Sequence, residues 1–322
     1  MKLWKLARAV IGSRYLGAPF FFRFYVTRRC NMRCRMCNVW KYADPRGEMN
    51  LEQIGRVIDE IRKTGVRYVV ITGGEPFLRG DLPRIVSMLD RAGFLIRVQT
   101  NAGPHVTEEL LDSVIGASCG RLDLTVSLDS LDPSLQDSIC NSKGALESTM
   151  RVLRMAVRKL PRSMINANIV VNKLNVDEIS EIVRTLDAMR VWSNPSPINM
   201  PSPGGSDMLL QRFDDKMAFS PDDAGLIGAT FDELIRMKEG GYRIGHSTKF
   251  LRESARFLTT GEKRWPECEA GILYFSVFPS DIVHSNAMLM ERFKTFFKLF
   301  ARDYYAHGKS KRRIEGNRGG NG

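Results

Sequence analysis

The sequence predicts an α/β fold in which short strands and amphipathic helices alternate around a parallel sheet. The first observation behind this is the alternation itself, which runs from Phe20 to about Met200 as successive βα units. The second is size: 322 residues, 43% of them apolar, can bury a substantial core. The third is that no internal repeat competes with the βα alternation.

Taken in order, the first predicted strand is FFRFYVT (Phe21–Thr27), and a cysteine-bearing stretch follows it. The first helix, NLEQIGRVIDEIRKTG, has Asn50 as cap, Gln53 to complete a capping box, Ile54, Val57, Ile58 and Ile61 on one face, and Gly65 as stop. Strand RYVVIT (Arg67–Thr72) leads to a helix at Leu82–Ala92, and FLIRVQT (Phe94–Thr100) to one at Thr107–Ile115. Strand RLDLTVSL (Arg121–Leu128) precedes the helix Ala145–Lys159, INANIVV (Ile165–Val171) precedes Val176–Met189, and SPINM (Ser196–Met200) is the sixth strand. The expected architecture is a partial (β/α)6 TIM-type barrel with a small α+β C-terminal extension. In such a barrel, chemistry gathers on the loops after the carboxyl ends of the strands.

The expected organisation is a basic amphipathic N-terminal extension at 1–19, a barrel core at 20–203, a C-terminal extension at 204–307 and a disordered basic tail at 308–322. Beyond Met200, PSPGGSD forms a flexible connection to helices near Pro221–Glu239 and Lys249–Thr259, and ECEAGILYFSVFPSDIVHSN reads as a short hairpin. A last helix runs from Ala287 to about Tyr305, before a tail too rich in Gly and Arg to pack.

Net charge is +12, concentrated at both ends of the chain and at Arg28, Arg29, Arg33 and Arg35 around the cysteines, where it would suit an anionic cluster or ligand. No nucleic-acid motif accompanies the charge, so no nucleic-acid partner is expected. The N-terminal segment superficially resembles a signal peptide, but Arg8, Arg14 and Arg23 interrupt it and no small-residue cleavage site follows. No apolar run is long enough to span a bilayer. Six cysteines, unevenly placed, do not make a disulfide scaffold and favour a reducing, cytoplasmic setting. The helix in KLWKLARAVI has a basic amphipathic character compatible with peripheral membrane contact, although packing against the barrel is the commoner use of such a helix.

Cys30, Cys34 and Cys37 lie within eight residues. Three thiolates can hold three irons of a cubic [4Fe–4S] cluster and leave the fourth iron to an external ligand, whereas a closed zinc site needs a fourth protein ligand. The four histidines, His105, His246, His284 and His307, are distant in sequence but not thereby excluded. Cys34 and Cys37 also have the spacing of a dithiol pair, which leaves Cys30 unexplained. Incidental core cysteines fit poorly in so charged a segment.

The spacing Cys30-x3-Cys34-x2-Cys37 after a first strand resembles the cluster motif of the radical S-adenosylmethionine superfamily, and TGGEP (Thr72–Pro76) at the end of the second strand resembles its glycine-rich motif. The resemblance implies one [4Fe–4S] cluster on Cys30, Cys34 and Cys37. It implies further that S-adenosylmethionine chelates the open iron and that an electron donor such as flavodoxin or ferredoxin supplies the reducing equivalent. Reductive cleavage then gives methionine and a 5′-deoxyadenosyl radical.

Gly73, Gly74, Glu75 and Pro76 are implied to receive the methionine end, with Glu75 accepting from its ammonium group. Met36 stands where the family usually carries an aromatic against adenine. Ser127 and Asp129 resemble the fourth-strand polar group that reaches ribose or carboxylate. Thr100, Asn101 and Asn168 occupy strand positions that often contact cofactor or substrate.

CEAG at Cys268–Gly271 resembles the entry to a SPASM or twitch extension, but no cysteine follows Cys268, and neither Cys119 nor Cys140 supplies the missing spacing, so the extension is expected to be degenerate and without an auxiliary cluster. ANIVVNKLNVDEI resembles the barrel of the superfamily's molybdenum-cofactor cyclase, whose second C-terminal cluster this chain has no cysteines to hold. The expected function is modification of a small-molecule substrate, anionic or lipid-like in character. The alternatives are a peptide-modifying maturase and, from another class, a non-catalytic iron–sulfur or zinc protein.

Overall fold

The computed structural model describes residues 21–43, 47–161, 164–198, 214–261 and 274–277. The expected basic amphipathic extension at 1–19, the PSPGGSD connection, Cys268–Gly271, the expected helix from Ala287 and the expected tail at 308–322 all lie outside the described residues.

Among the described residues, seven strands form one parallel sheet: β1 (Phe21–Thr27), β2 (Tyr68–Gly73), β3 (Leu95–Thr100), β4 (Leu122–Ser127), β5 (Ile165–Val171), β6 (Trp192–Pro197) and β7 (Tyr274–Val277). Their spatial order is β6-β5-β4-β3-β2-β1-β7, so β1 to β6 are sequential neighbours, and β7 returns to the far edge of β1. The helices between and after them are α1 (Leu51–Lys63), α2 (Leu82–Arg91), α3 (Glu108–Gly116), α4 (Pro133–Cys140), α5 (Ala145–Lys159), α6 (Ile179–Ala188), α7 (Ala224–Glu239) and α8 (Thr248–Thr260). The result is the α/β partial barrel that the alternation anticipates.

Local chemistry explains the elements. Asn50 and Gln53 cap α1 reciprocally, at 2.9 and 2.8 Å, and the four apolar residues on its face are all buried. Thr107 caps α3 and Ser247 caps α8 by side-chain acceptance. Helix α4 is an element the sequence reading omits, although Asp132 accepts from Ser134 N and Leu135 N, and Pro133 occupies the first turn.

The sixth strand begins at Trp192, four residues before its expected start. Pro195 and Pro197 make the segment read as a breaker, but β6 is the sheet edge and pairs only with β5 among the strands, where a missing N–H is tolerated. Its other side is partly covered: Ser193 N donates to Arg243 O at 2.8 Å and Gly245 N to Ser193 O at 2.9 Å. The segment expected as a hairpin contributes β7, a parallel strand against Phe21–Phe24.

Alternate strand residues divide the sheet into two faces. One face carries Phe22, Phe24, Val69, Ile71, Ile96, Val98, Leu124, Val126, Ala167 and Ile169, all buried in one core with the helices. Residues of α7 and α8, including Phe231, Leu234, Leu251 and Phe257, belong to that same core, so this part of the chain packs with the barrel helices. The other face carries apolar residues such as Val70 and Leu95 together with a polar set that includes Gln99, Thr125, Ser127, Asn166, Asn168 and Asn194, which matters for the site.

Candidate active site at the carboxyl ends of the strands

The cysteine loop begins where β1 ends and is held by ionic and backbone pins. A register shift between Tyr25 and Thr27 ends the regular pairing with β2. The Thr27 hydroxyl donates to Glu48, and Arg29 forks onto the same carboxylate at 2.8 and 3.1 Å. Arg35 forks onto Asp214 at 2.7 and 3.0 Å. Arg33 donates to the carbonyls of Cys30 and Met32 at 2.7 and 3.0 Å and lies 5.0 Å over the Trp40 ring. Arg29, Arg33 and Arg35, expected to balance an anion, are thus engaged with the protein's own groups and shape the loop.

Backbone bonds from Arg33 N to Cys140 O (3.2 Å) and from Arg35 N to Ile139 O (2.9 Å) lay the loop against the carboxyl end of α4. Below it, Arg79 is 5% exposed and donates to Val26 O, Met49 O and both oxygens of Asp81, at 2.8 to 3.0 Å.

Cys30, Cys34 and Cys37 are free thiols, partly buried, and close enough to interact electrostatically. Burial pushes the Cys30 thiol up to about 12 and the Cys37 thiol up to about 11, with neighbouring thiols adding to the shift. Cys34 is raised well above the usual thiol range by its hydrogen bond with Cys140 and then by burial. These thiols become good ligands only when a metal replaces their protons. Among the described residues no three His, Cys, Asp or Glu side chains converge to hold a single metal ion. A cluster that offers each thiolate its own iron requires no such convergence, and the donor set fits it.

The glycine motif abuts this loop. A Cβ on Gly73 would lie 2.2 Å from Thr27 O, and one on Gly74 would lie 2.1 Å from Arg29 O. Gly74 N donates to Thr27 O at 2.9 Å and Glu75 N to Arg29 O at 2.8 Å. The two glycines therefore serve the protein's own backbone here, by letting β2 exit against the root of the cysteine loop.

Glu75 is fully buried and accepts from Phe77 N (3.0 Å), the Thr100 hydroxyl (2.9 Å) and Asn101 N (2.7 Å), tying the end of β2 to the end of β3. Pro76 starts a single 3-10 turn, Pro76–Leu78. Asn101 then reaches across with its amide nitrogen to Cys30 Sγ (3.6 Å) and Asn31 Oδ1 (2.9 Å). Met36 packs half-buried against the main core. The structure thus brings Cys30, Glu75, Thr100 and Asn101 into one hydrogen-bonded chain.

Asp129 stands apart from that chain. It is 2% exposed, and its carboxylate accepts from Val170 N at 2.7 Å, latching β4 to β5. Burial raises it to about 6 against the opposing pull of that amide. Gln136 Oε1 accepts from the amides of Asp129 and Ser130 at 3.0 and 2.8 Å, so α4 holds this turn too.

Ser127 and Asn168 are cross-strand partners on the polar face, and Asn168 is in turn opposite Asn194, whose amide approaches its oxygen at 3.4 Å. One layer deeper, Gln99, Thr125, Asn166 and Trp192 are opposite one another in succession across β3 to β6. Ser196 Oγ lies 3.0 Å from His246 Nε2, whose ring stacks on Phe250 at 4.0 Å, and burial lowers this imidazole to about 4. Near the start of the strands, Tyr68 OH and Arg97 both donate to Asp123, at 3.0 and 3.3 Å, and form a polar floor.

Barrel interiors are ordinarily filled by branched apolar side chains. A wall that includes amides and hydroxyls instead offers hydrogen-bonding groups on the inner face. The sequence reading took Ser127 and Asn168 from this wall but missed Gln99, Thr125, Asn166, Asn194, Ser196 and His246. The available signal was polar residues at every second position of strands in a parallel sheet, where near-continuous apolar runs are usual.

Comparison with known proteins agrees with this geometry. The family model of the radical SAM superfamily matches residues 24–186, just over half of the chain. GTP 3′,8-cyclase of Sulfurimonas denitrificans is 25% identical over 289 residues, covering 84% of this chain and 88% of that protein. The AdoMet-dependent heme synthase of Methanosarcina barkeri is 30% identical over 180 residues, 54% of this chain and 49% of that one. Among solved structures, Streptococcus suis SuiB bound to S-adenosylmethionine superposes with a TM-score of 0.58 at 15% identity, over 86% of this chain and 62% of SuiB, a likeness of fold. Among the described residues no helix is long and apolar enough to cross a membrane. The chain belongs to the radical SAM superfamily, whose enzymes use a [4Fe–4S] cluster and S-adenosylmethionine.

Proposed function

We propose that Cys30, Cys34 and Cys37 hold the cluster, that S-adenosylmethionine occupies the region between them and the ends of β2 to β4, and that the polar inner wall holds a small-molecule substrate. When bound, the cluster and S-adenosylmethionine supply a strongly oxidising carbon radical able to abstract hydrogen. The protein's share is positioning. Arg29, Arg35 and Arg79 fix the loop through Glu48, Asp214 and the carbonyls of Val26 and Met49, and Asn101 offers an N–H to one ligand sulfur.

The observation that carries the reading is one of placement. Three thiols interact on a loop that the glycine motif fixes directly, at the carboxyl edge of a sheet whose free face is polar. Because that wall offers amides and hydroxyls, and because Arg97 is committed to Asp123, it favours a hydrogen-bonding substrate over a lipid-like one. Electrons enter from a reductant, for which a flavodoxin or ferredoxin is the natural class. The unit at 20–203 is proposed as the catalytic core.

The test is anaerobic reconstitution with iron and sulfide, reduction, and measurement of 5′-deoxyadenosine. GTP, named in the Sulfurimonas relative, is the first small molecule to add. About four irons per chain with 5′-deoxyadenosine production is the expected result. A loaded, reducible cluster that forms none under any tested substrate would defeat the catalytic reading.

A further inference from the structure

The solvent face of the cysteine loop carries charge and aromatic surface that the site just described leaves unexplained. Arg29 and Arg35 are paired with Glu48 and Asp214, whereas Arg33 and Lys41 are exposed and have no acidic partner among the described residues. Both lie over the ring of Trp40, the Arg33 guanidinium at 5.0 Å and the Lys41 ammonium at 5.8 Å from its centroid. Tyr42 follows on the same turn, and among the described residues only it and Leu226 are large apolar side chains left exposed.

The 3-10 turn Val39–Tyr42 presents this group and ties it to the proposed ligands. Val39 is buried and packs with Tyr25 and Cys37, and Lys41 N donates to Asn38 O at 2.9 Å. Trp40 Nε1 donates to Cys37 O at 2.9 Å, so the indole meets two surface cations and the backbone of a ligand residue at once. Arg33 donates to the carbonyls of Cys30 and Met32, which sets its charge beside the loop's first cysteine as well.

Arg, Trp and Tyr are the residues enriched where proteins meet, and a lysine suits the rim of such a surface. Unpaired positive charge steers an acidic partner to it, and the aromatic rings suit a planar apolar group at the centre of that partner's acidic surface. Its place shows what the partner does. Electron transfer falls steeply with distance, and this surface continues through Trp40 to Cys37.

We propose that Arg33, Trp40, Lys41 and Tyr42 form the docking surface for the electron donor, a small acidic flavoprotein of the flavodoxin class whose flavin edge is exposed among carboxylates. This rests on the proposed reading of the loop as a cluster site. The flavin edge lies against Trp40 and Tyr42, and the surrounding carboxylates meet Arg33 and Lys41. One electron leaves the reduced flavin and one enters the cluster; proton exchange stays between flavin and water, and no bond in the chain is made or broken.

The reconstituted full chain is reduced in a stopped-flow cell by prereduced flavodoxin, or by photoreduced 5-deazaflavin as a small reductant that needs no docking, and loss of cluster absorbance gives the rate. With flavodoxin the rate is expected to fall about tenfold or more between ionic strengths of about 10 mM and about 1 M, where the screening length shrinks from about 30 to about 3 Å. Lys41→Glu combined with Tyr42→Ser is expected to be about tenfold slower at low salt and nearly salt-independent, with normal iron content and an unchanged deazaflavin rate. Lys41→Arg is expected to behave as wild type. Carbodiimide coupling of flavodoxin to the chain, mapped by mass spectrometry, is expected at Lys41. Reduction of the double variant by flavodoxin at the wild-type rate would overturn the proposal, as would equal slowing with 5-deazaflavin or crosslinks confined to lysines elsewhere, such as Lys159 and Lys238. So would salt-sensitive reduction by an acidic ferredoxin with none by flavodoxin. The crosslink is read whether or not iron is bound, so a chain that loads no cluster defeats the proposed function, and a loaded chain indifferent to Lys41 defeats the docking surface alone.

Discussion

Arg79 offers the sharpest test of how the cysteine loop is anchored. Its guanidinium is 5% exposed and donates to Val26 O at 2.8 Å, to Met49 O at 3.0 Å, and bidentately to Asp81. Arg79→Met keeps much of the volume and removes the donors. Each buried carbonyl left unmet costs about 1–3 kcal/mol, and water has little access to replace the lost bond. Asp81 is 30% exposed and can turn to solvent, so its share is small. The summed loss is about 3–5 kcal/mol, the range for breaking a buried charged network by removing one partner. Arg79→Lys loses about half as much, since an ammonium cannot fork onto Asp81 and still span both carbonyls. Urea unfolding of the metal-free protein, followed by circular dichroism with the slope checked for constancy, measures both losses. Because Val26 immediately precedes Thr27, iron uptake should fall in parallel. A loss below about 1 kcal/mol in Arg79→Met would refute the reasoning, for it would mean the two carbonyls find other partners.

The remaining predictions concern the site itself. Asp129, raised by burial from 3.8 to about 6, is protonated more readily folded than unfolded, so its stabilising contribution is complete below about pH 4 and is lost as pH rises through 6. Asp129→Asn, which keeps an acceptor for Val170 N, should gain on the wild type by about 2 kcal/mol between pH 4 and pH 7 in the metal-free protein, and a difference independent of pH would contradict this. Gly74→Ala places a Cβ 2.1 Å from Arg29 O, a backbone atom that cannot turn aside. It should cost about 1–3 kcal/mol or more and abolish iron uptake, whereas a normally loaded variant would dissociate the glycine from the loop. Asn101→Ala removes the N–H offered to Cys30 Sγ and the link to Asn31, and should lower cluster retention or 5′-deoxyadenosine formation by about 10–100-fold, measured on iron content and product together.

Much of the scaffold was legible because local rules and global packing agree. Strands β1 and β5 and helix α5 have the bounds their patterns indicate, and the Asn50–Gln53 box is formed as written. The misplacement of β6 comes from prolines whose meaning depends on lying at a sheet edge, which only the assembled sheet reveals. Helix α4 carried a readable cap in Asp132-Pro133 that was passed over.

At the site, the cysteines and TGGEP stood out by spacing. Their supports did not: Arg29 finds its carboxylate 19 residues away and Arg35 finds Asp214 at a separation of 179, distances no local pattern can bridge. Arg29 and Arg35, which read as charge for a ligand, also serve as brackets for the loop. Glu75, expected to accept from an ammonium group, also collects three donors from within the fold, which no local pattern announces.

The most direct measurement of the central claim compares wild-type protein with Cys30→Ala, Cys34→Ala and Cys37→Ala, each reconstituted anaerobically and assayed for iron, sulfide and 5′-deoxyadenosine after reduction with S-adenosylmethionine. The account predicts about four irons and product in the wild type, and loss of both in every variant. A variant that keeps a full cluster and cleaves S-adenosylmethionine would contradict it.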